Sequence, residues 1–259
     1  MVKKILLTSL VILLSGGLLG SWFWYVGRLE ARGRSEADCR RVDVILLDSL
    51  ESRVVDRMEM HRFVSSRVLG QRTDTIDLHG IEQAVRSRGE VMSAEVYVRD
   101  PHTVAVEISQ RKPVVRFEKG AEHWYSDPEG YLFPVVHAVD VPVVTGNIPL
   151  SPGPGYKGLA PAESRQWVMD IVDLARYIDS RNTLRNQIEQ IDISSGGDIV
   201  LYTAEDGPAI IFGDCADYVG KFRKLEAWWR NIVPQAAEEQ KHYTTINLKY
   251  NHQIICKQK

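Results

Sequence analysis

Residues 94–108 read AEVYVRDPHTVAVEI, two segments in which apolar and polar residues alternate on either side of a short polar turn. The apolar positions of each segment share one face of a strand: Ala94, Val96 and Val98 in the first, and Val104, Val106 and Ile108 in the second. Asp100, Pro101 and His102 supply the turn. Alternation of this kind around a polar turn predicts a β-hairpin.

The residues before this hairpin predict one strand and two helices. The run from Val42 to Leu47 is strand-like, and Asp56 opens a helix with Glu59 in capping-box spacing. A second helix has apolar residues at i, i+3 and i+7: Leu78, Ile81 and Val85. We therefore expect a small domain over residues 42–112 with the order strand, helix, helix, strand, strand. Two helices cover one face of such a sheet and leave a strand edge free.

After Pro113 the chain reads as short strands separated by Gly and Pro, which predicts a β-rich second domain over residues 113–259. The residues from Asp127 to Gly130 fit a type I turn. Two helices interrupt the strands, one over about residues 161–178 and one carrying a stripe formed by Tyr218, Phe222, Leu225, Trp229 and Ile232. Residues 244–257 predict a last strand. The predicted fold class is therefore α+β.

An apolar segment near the N-terminus predicts a transmembrane helix. Residues 5–27 contain no charge, and at about 1.5 Å per residue they span a hydrocarbon layer about 30 Å thick. A cleaved signal peptide is the alternative, but its apolar core is about 7–15 residues long. Residues 1–4 are then a cytoplasmic tail and residues 28–41 a juxtamembrane linker. Basic residues flank both ends of the segment, so charge alone does not set its orientation.

The composition favours neither nucleic acid nor a metal or cofactor as a partner. The formal net charge is -2, and the seven histidines form no H-E-x-x-H motif. The three cysteines, Cys39, Cys215 and Cys256, match no zinc-binding spacing and are too few for a disulfide framework. We expect no metal site and no cofactor.

Two motif-like spacings suggest catalysis, and neither has the required context. Gly153, Gly155 and Gly158 have the spacing of a dinucleotide-binding turn but lie in a proline-broken loop. Ser109 and Lys112 match the S-x-x-K spacing of penicillin-recognising enzymes, whose S-D-N and K-T-G motifs do not occur here. Neither Cys215 nor Cys256 lies in a recognisable Cys/His signature. The sequence therefore predicts a binding protein and no catalytic residue.

The chain resembles the bacterial cell-division protein FtsQ family, also called DivIB. The stretches that carry the resemblance are IDLHGIE (76–82), residues 91–98, PHTVAV (101–106), RKPV (111–114), WYSD (124–127) with Gly130 and Phe133, VPVVTG (141–146) and INLKY (246–250). Their order behind an N-terminal anchor is also that of the family. The resemblance implies a POTRA domain over residues 42–112 followed by the family's β domain.

The resemblance also implies a location, partners and a function. It implies a single-pass inner-membrane protein with a cytoplasmic N-terminus and a periplasmic bulk, concentrated at the division septum. Its implied function is a non-catalytic divisome scaffold that binds FtsB-like and FtsL-like bitopic proteins and links them to septal peptidoglycan synthases. Residues 5–27 would contact the lipid bilayer. The chain departs from the family at residues 251–253 and in its short C-terminus.

The last predicted strand supplies the candidate partner site. Side-chain alternation predicts that Ile246, Leu248, Tyr250, Ile254 and Cys256 face the core or its rim. A terminal strand at a sheet edge can accept an extended partner segment. We expect these partner-binding residues, with Tyr250 implied by the resemblance: Thr245, Asn247, Lys249, Tyr250, Asn251, Gln253 and Ile255. The alternative is that Lys249 and Lys257 only keep a bare edge from aggregating.

Two other functions compete with the scaffold. A POTRA-containing envelope assembly or transport factor would show repeated POTRA units or a following membrane barrel, and the sequence shows neither pattern. A membrane-anchored cell-wall enzyme would need a nucleophile with its supporting groups, which the sequence does not assemble.

Overall fold

The computed structural model describes residues 20–22, 24–25, 37–48, 54–204, 207–232, 243–250 and 253–258. The chain divides into two compact units: an N-terminal unit of residues 1–48 and 56–109, and a C-terminal unit of residues 49–55 and 110–259. Helices and strands occur in both, so the predicted α+β class is confirmed.

The N-terminal unit has a small sheet and two helices. Its described elements are β1 (Arg41–Leu46), α1 (Arg57–Val68), α2 (Leu78–Arg86), β2 (Val91–Asp100) and β3 (Thr103–Gln110). The sheet order is β1-β3-β2, and β1 runs parallel to β3. Because β2 and β3 are neighbours joined by two residues, the predicted hairpin is confirmed.

Helix α1 begins where its capping residue predicts. The Asp56 carboxylate accepts hydrogen bonds from the backbone N–H groups of Met58 (2.7 Å) and Glu59 (3.2 Å). These bonds satisfy donors that have no partner inside the helix. The apolar faces of the two helices are buried in this unit: Met60, Val64 and Val68 on α1, and Ile81 and Val85 on α2.

The C-terminal unit is built on a ten-stranded sheet. Its described elements are β4 (Val115–Lys119), β5 (Glu122–Ser126), β6 (Tyr131–Pro134), β7 (Val143–Gly146), β8 (Gly158–Leu159), α3 (Arg165–Asp179), α4 (Asn182–Gln187), β9 (Ile188–Ile193), β10 (Ile199–Thr203), β11 (Ala209–Gly213), α5 (Tyr218–Ile232), β12 (Tyr243–Asn247) and β13 (Ile255–Gln258). The sheet order is β13-β12-β11-β10-β9-β7-β4-β5-β6-β8. Strands β12 and β13 therefore lie at one end of the sheet, and β8 lies at the other.

The predicted turn between β5 and β6 is confirmed. The Gly130 N–H donates to the carbonyl of Asp127 at 3.1 Å, which closes the four-residue turn. Gly130 has φ +75°, a left-handed conformation that glycine adopts without steric cost. A Cβ built on Gly130 would also lie 2.8 Å from the sulfur of Met169, so a larger residue would disturb α3 as well.

Helices α3 and α5 pack their predicted apolar stripes into the core of this unit. The buried stripe residues are Val168, Ile171, Ala175 and Ile178 on α3, and Phe222, Leu225 and Trp229 on α5. They share one cluster with buried strand residues that include Phe117, Trp124, Leu201, Ile210 and Ile246. The core therefore lies between these helices and one face of the sheet.

One helix boundary and one additional helix differ from the sequence-based expectation. Helix α3 begins at Arg165 and not at Pro161, because Pro161 and Ser164 close a separate turn in which the Ser164 N–H donates to the Pro161 carbonyl at 3.0 Å. Helix α4 was not predicted. It has six residues, of which only Leu184 is buried, and so short a segment has no clear apolar periodicity.

The predicted membrane span over residues 5–27 lies mostly outside the described residues, as do residues 1–4 and most of the predicted linker at 28–41. Within the span, residues 20–22 and 24–25 are helical. Trp22, Trp24 and Tyr25 are exposed. In the described part of the chain, no helix is both long enough and apolar enough to cross a membrane.

Candidate partner-binding edge

Strand β13 forms one edge of the ten-stranded sheet, and among the described strands it pairs only with β12. The predicted single strand over residues 244–257 is wrong. Strand β12 ends at Asn247 and β13 returns antiparallel to it, so that Thr245 lies opposite Lys257 and Asn247 lies opposite Ile255. The Asn247 side-chain oxygen accepts a hydrogen bond from the Lys249 N–H at 3.0 Å, a local turn that ends β12.

The hairpin distributes the predicted partner-binding residues over three places. Thr245 and Asn247 lie on β12, Lys249 and Tyr250 lie in the turn, and Gln253 and Ile255 lie at the start of the returning chain. Asn251 is outside the described residues. Of the described members, Ile255 alone belongs to the edge strand itself.

The alternation of buried and exposed side chains holds along both strands of the hairpin. Ile246 and Leu248 are fully buried, and Ile254 and Cys256 are partly buried against the same core. Tyr250 differs from the expectation, since 49% of its surface is exposed. The alternation of a strand no longer applies to Tyr250, because it lies in the turn.

The opposite face of the sheet carries a row of three apolar residues and one asparagine, of which the sequence-based site included only Asn247 and Ile255. Cross-strand pairs place Val200 opposite Ile211, Ile211 opposite Asn247, and Asn247 opposite Ile255. We call these four residues the edge row. Val200, Ile211 and Asn247 are half-buried, and Ile255 is 46% exposed. The apolar Ile255 at the sheet edge therefore continues into a surface that crosses four strands.

The edge row could be found in part from the sequence. Within β10, Leu201 points into the core, so Val200 and Tyr202 must point to the other face of the sheet. Within β11, Ile210 points into the core, so by the same reasoning Ile211 points to the other face of the sheet. Local alternation gives these facing directions, but it does not show that β10 and β11 lie near β13.

Lys249 is held against the sheet. Its ammonium group forms an ion pair with Asp198 at 2.8 Å, in the turn between β9 and β10. The hydrogen bond with Asp198 raises the pKa of Lys249, so the side chain is charged in neutral solution. The Lys249 stem passes over Gly213, where a Cβ would lie 2.8 Å from the Lys249 Cγ. Lys249 therefore anchors the turn and is not a free charge at the edge.

The residues considered for catalysis have separate surroundings, and one of them, Cys256, lies on β13 itself. The Ser109 hydroxyl donates to the Asp48 carboxylate at 3.1 Å. All three cysteines are free thiols. Burial, with a further contribution from the nearby Asp170, raises the pKa of Cys215 to about 12, so Cys215 is a protonated thiol and a poor nucleophile at neutral pH. Gly153 and Gly155 lie in an irregular loop, as the sequence predicts, and both have positive φ, whereas Gly158 lies on β8.

The comparison with known proteins bears on the C-terminal unit. The sequence model of a family described as FtsQ/DivIB, C-terminal related, matches residues 112–257, more than half of the 259 residues. The match begins just before β4 and ends within β13, so it includes the candidate edge. No curated protein matches the chain.

Proposed function

Because this chain belongs to the FtsQ/DivIB C-terminal related family, we propose that it is a non-catalytic scaffold that recruits FtsB-like and FtsL-like bitopic proteins and links them to septal peptidoglycan synthesis. Membership of the family implies a scaffold role in cell division, with other division proteins as partners and the septal envelope as location. The individual partners and the surface that binds them belong to the proposal.

The observation that carries the proposal is the position of β13. A strand that ends a sheet presents backbone N–H and C=O groups on its outer side, and an extended segment of a partner can pair with them. In this mode the backbone bonds supply affinity, and side-chain contacts supply specificity. Ile255 on the strand and Tyr250 in the turn are the exposed large apolar side chains at this edge.

The alternative role of Lys249 and Lys257 is to keep a bare sheet edge from aggregating. Lys249 is poorly suited to this role. Lys249 is paired with Asp198, so its charge is partly neutralised within the chain. Lys257 is exposed on β13 and can guard the edge. A single guarding charge is compatible with capture of a partner whose facing side chain is acidic.

Substitution of the two exposed apolar residues is the test of this edge. Ile255→Asp and Tyr250→Ala should each weaken binding of a soluble fragment of the FtsB-like protein by about tenfold or more, because burial of an apolar side chain of this size contributes about 1.5–3 kcal/mol. The measurement is a calorimetric titration of the full chain in detergent micelles. Circular dichroism verifies that each variant is folded.

Leu159→Asp is the matched control for Ile255→Asp. Leu159 lies on β8 at the opposite end of the same sheet and is 49% exposed, close to the 46% of Ile255. We expect no change in affinity for this variant. If Ile255→Asp and Tyr250→Ala were folded and bound as tightly as the unaltered chain, the partner site would lie elsewhere, and the N-terminal unit would be the next candidate.

The proposed topology has a cytoplasmic N-terminus, a membrane span over residues 5–27 and an extracytoplasmic bulk. Its support is the uncharged 23-residue length of residues 5–27 together with the septal envelope location of the family. Alkaline phosphatase fused after Lys259 should be active. An inactive phosphatase fusion, with an active cytoplasmic reporter at the same position, would show the opposite orientation.

A further inference from the structure

The turn between β12 and β13 is tied to helix α5 by one side chain. The ammonium group of Lys224 donates to the backbone carbonyl of Tyr250 at 2.7 Å and to that of Leu248 at 3.4 Å. These two carbonyls flank residue 249 on either side. A lysine ammonium has three donors, so it can hold two carbonyls at once.

We propose that Lys224 is a positioning residue that holds the β12–β13 turn, so that β13 stays in register as the outer strand of the sheet. The consequence for partner binding rests on the function proposed above. The positioning itself is a property of this chain and can be measured without a partner.

The segment of α5 that carries Lys224 is held firmly in place. Lys224 lies on α5 between Phe222 and Leu225, both of which are fully buried in the core. The carbonyl oxygens are therefore held by a donor whose backbone cannot move without disturbing the core. A hydrogen bond from a charged donor is also stronger than one between neutral groups.

The turn is held on its other side as well. The Lys249 ammonium is paired with Asp198, and the Asp198 N–H donates to the Ser194 hydroxyl oxygen at 3.0 Å within the turn between β9 and β10. Lys224 therefore ties the backbone of the β12–β13 turn to α5. The side chain of Lys249 ties the same turn to Asp198 of the sheet. The two contacts lie at successive residues of one short segment.

Strand β13 needs such a support because its own pairing is small. It has four residues and, in the described part of the sheet, a single neighbour. A two-stranded hairpin alone is marginally stable in water. Strand β12 has a second neighbour in β11, with Ile246 opposite Ile210, and does not depend on the turn in the same way. Loss of the Lys224 contacts should therefore loosen β13 and leave β12 in place.

The test is Lys224→Met in the full chain, with amide hydrogen exchange as the readout. Methionine keeps the apolar stem and removes the donors. We expect exchange at residues 253–258 to rise about tenfold or more, since a hydrogen bond from a charged donor contributes net stability even against competing bonds to water. Exchange in β9 and β10 should stay unchanged.

Two further variants separate positioning from a general loss of stability. Lys224→Arg keeps a charged donor and should restore most of the protection at residues 253–258. Arg223→Met removes an exposed cation from the neighbouring position of α5 and should change nothing. Unchanged exchange at residues 253–258 in Lys224→Met, or an equal rise in β9 and β10, would overturn the proposal, as would a failure of Lys224→Arg to restore protection.

Binding of the soluble FtsB-like fragment then tests the connection with function. If the edge captures the partner, Lys224→Met should lower the association rate in proportion to the fraction of β13 that stays ordered, because only the ordered strand binds, and should leave the dissociation rate nearly unchanged. A rise in exchange with unaltered binding would confirm Lys224 as the positioning residue of β13. It would contradict partner capture at this edge only where residues 253–258 exchange nearly as fast as unstructured amides, because β13 is then mostly open.

Discussion

Asp127→Ala is expected to lower the free energy of unfolding of the C-terminal unit by about 3–5 kcal/mol, because it leaves the Arg111 cation, whose side chain is only 16% exposed, without its partner. Asp127 is 2% exposed, and its carboxylate accepts a hydrogen bond from the Arg111 guanidinium at 2.6 Å. The same carboxylate accepts bonds from the backbone N–H groups of Glu129 (3.1 Å) and Tyr131 (2.9 Å). The substitution therefore removes an ion pair and the support of a turn together.

The Arg111 guanidinium also lies over the Tyr131 ring, with 3.4 Å between its central carbon and the ring centroid. Arg111→Ala should consequently destabilise the unit as well. The effects of Arg111→Ala and Asp127→Ala should not add, since each variant removes the same ion pair. The double variant is expected to be more stable than the sum of the single effects implies.

Thermal unfolding followed by circular dichroism measures this effect, and a loss of about 3–5 kcal/mol corresponds to a fall in Tm of roughly 10 °C for a domain of this size. Asp140→Ala is the matched control. The side chain of Asp140 is 97% exposed and lies 3.6 Å from Arg185, so its removal should change Tm very little. Equal stabilities of the Asp127→Ala and Asp140→Ala variants would show that the buried pair does not stabilise the fold.

Phe222→Ala is the second substitution expected to have a large effect, with a loss of about 3–5 kcal/mol in the free energy of unfolding. Phe222 is fully buried at the centre of an aromatic group. Its ring centroid lies 4.9 Å from that of Phe212 on β11 and 5.3 Å from that of Tyr177 on α3. Removal of the ring opens a cavity where α5, α3 and the sheet meet, and the surrounding elements cannot close it completely.

Phe222→Leu is the matched control for cavity size. Leucine keeps most of the apolar volume, and we expect a loss of less than about half that of Phe222→Ala. Urea unfolding measures both losses, and an unchanged m-value would show that the unfolded state is the same. Similar losses for leucine and alanine would mean that ring packing, and not the cavity, determines the effect.

Local patterns in the sequence predicted the elements and their facing directions. Alternation placed Val104, Val106 and Ile108 on the buried face of β3, and the spacing on α3 identified its buried stripe. These predictions succeed because the period of the side chains is a property of each element alone. The predicted start of α3 and the single strand over residues 244–257 failed. In each case a hydrogen bond between residues close in the chain forms a turn, which delays the start of α3 and ends β12 at Asn247.

The sequence by itself determined the α+β class, the hairpin of the N-terminal unit and the side-chain alternation around Ile246. Tertiary structure alone decided that β12 lies parallel to β11, that β13 returns to form the edge, and that Val200 and Ile211 continue the surface of Ile255. Pairing between strands depends on backbone hydrogen bonds and on packing between segments far apart in the chain. A local period contains no information about which distant strand becomes the neighbour, and so the edge and its support by Lys224 appear only in the folded chain.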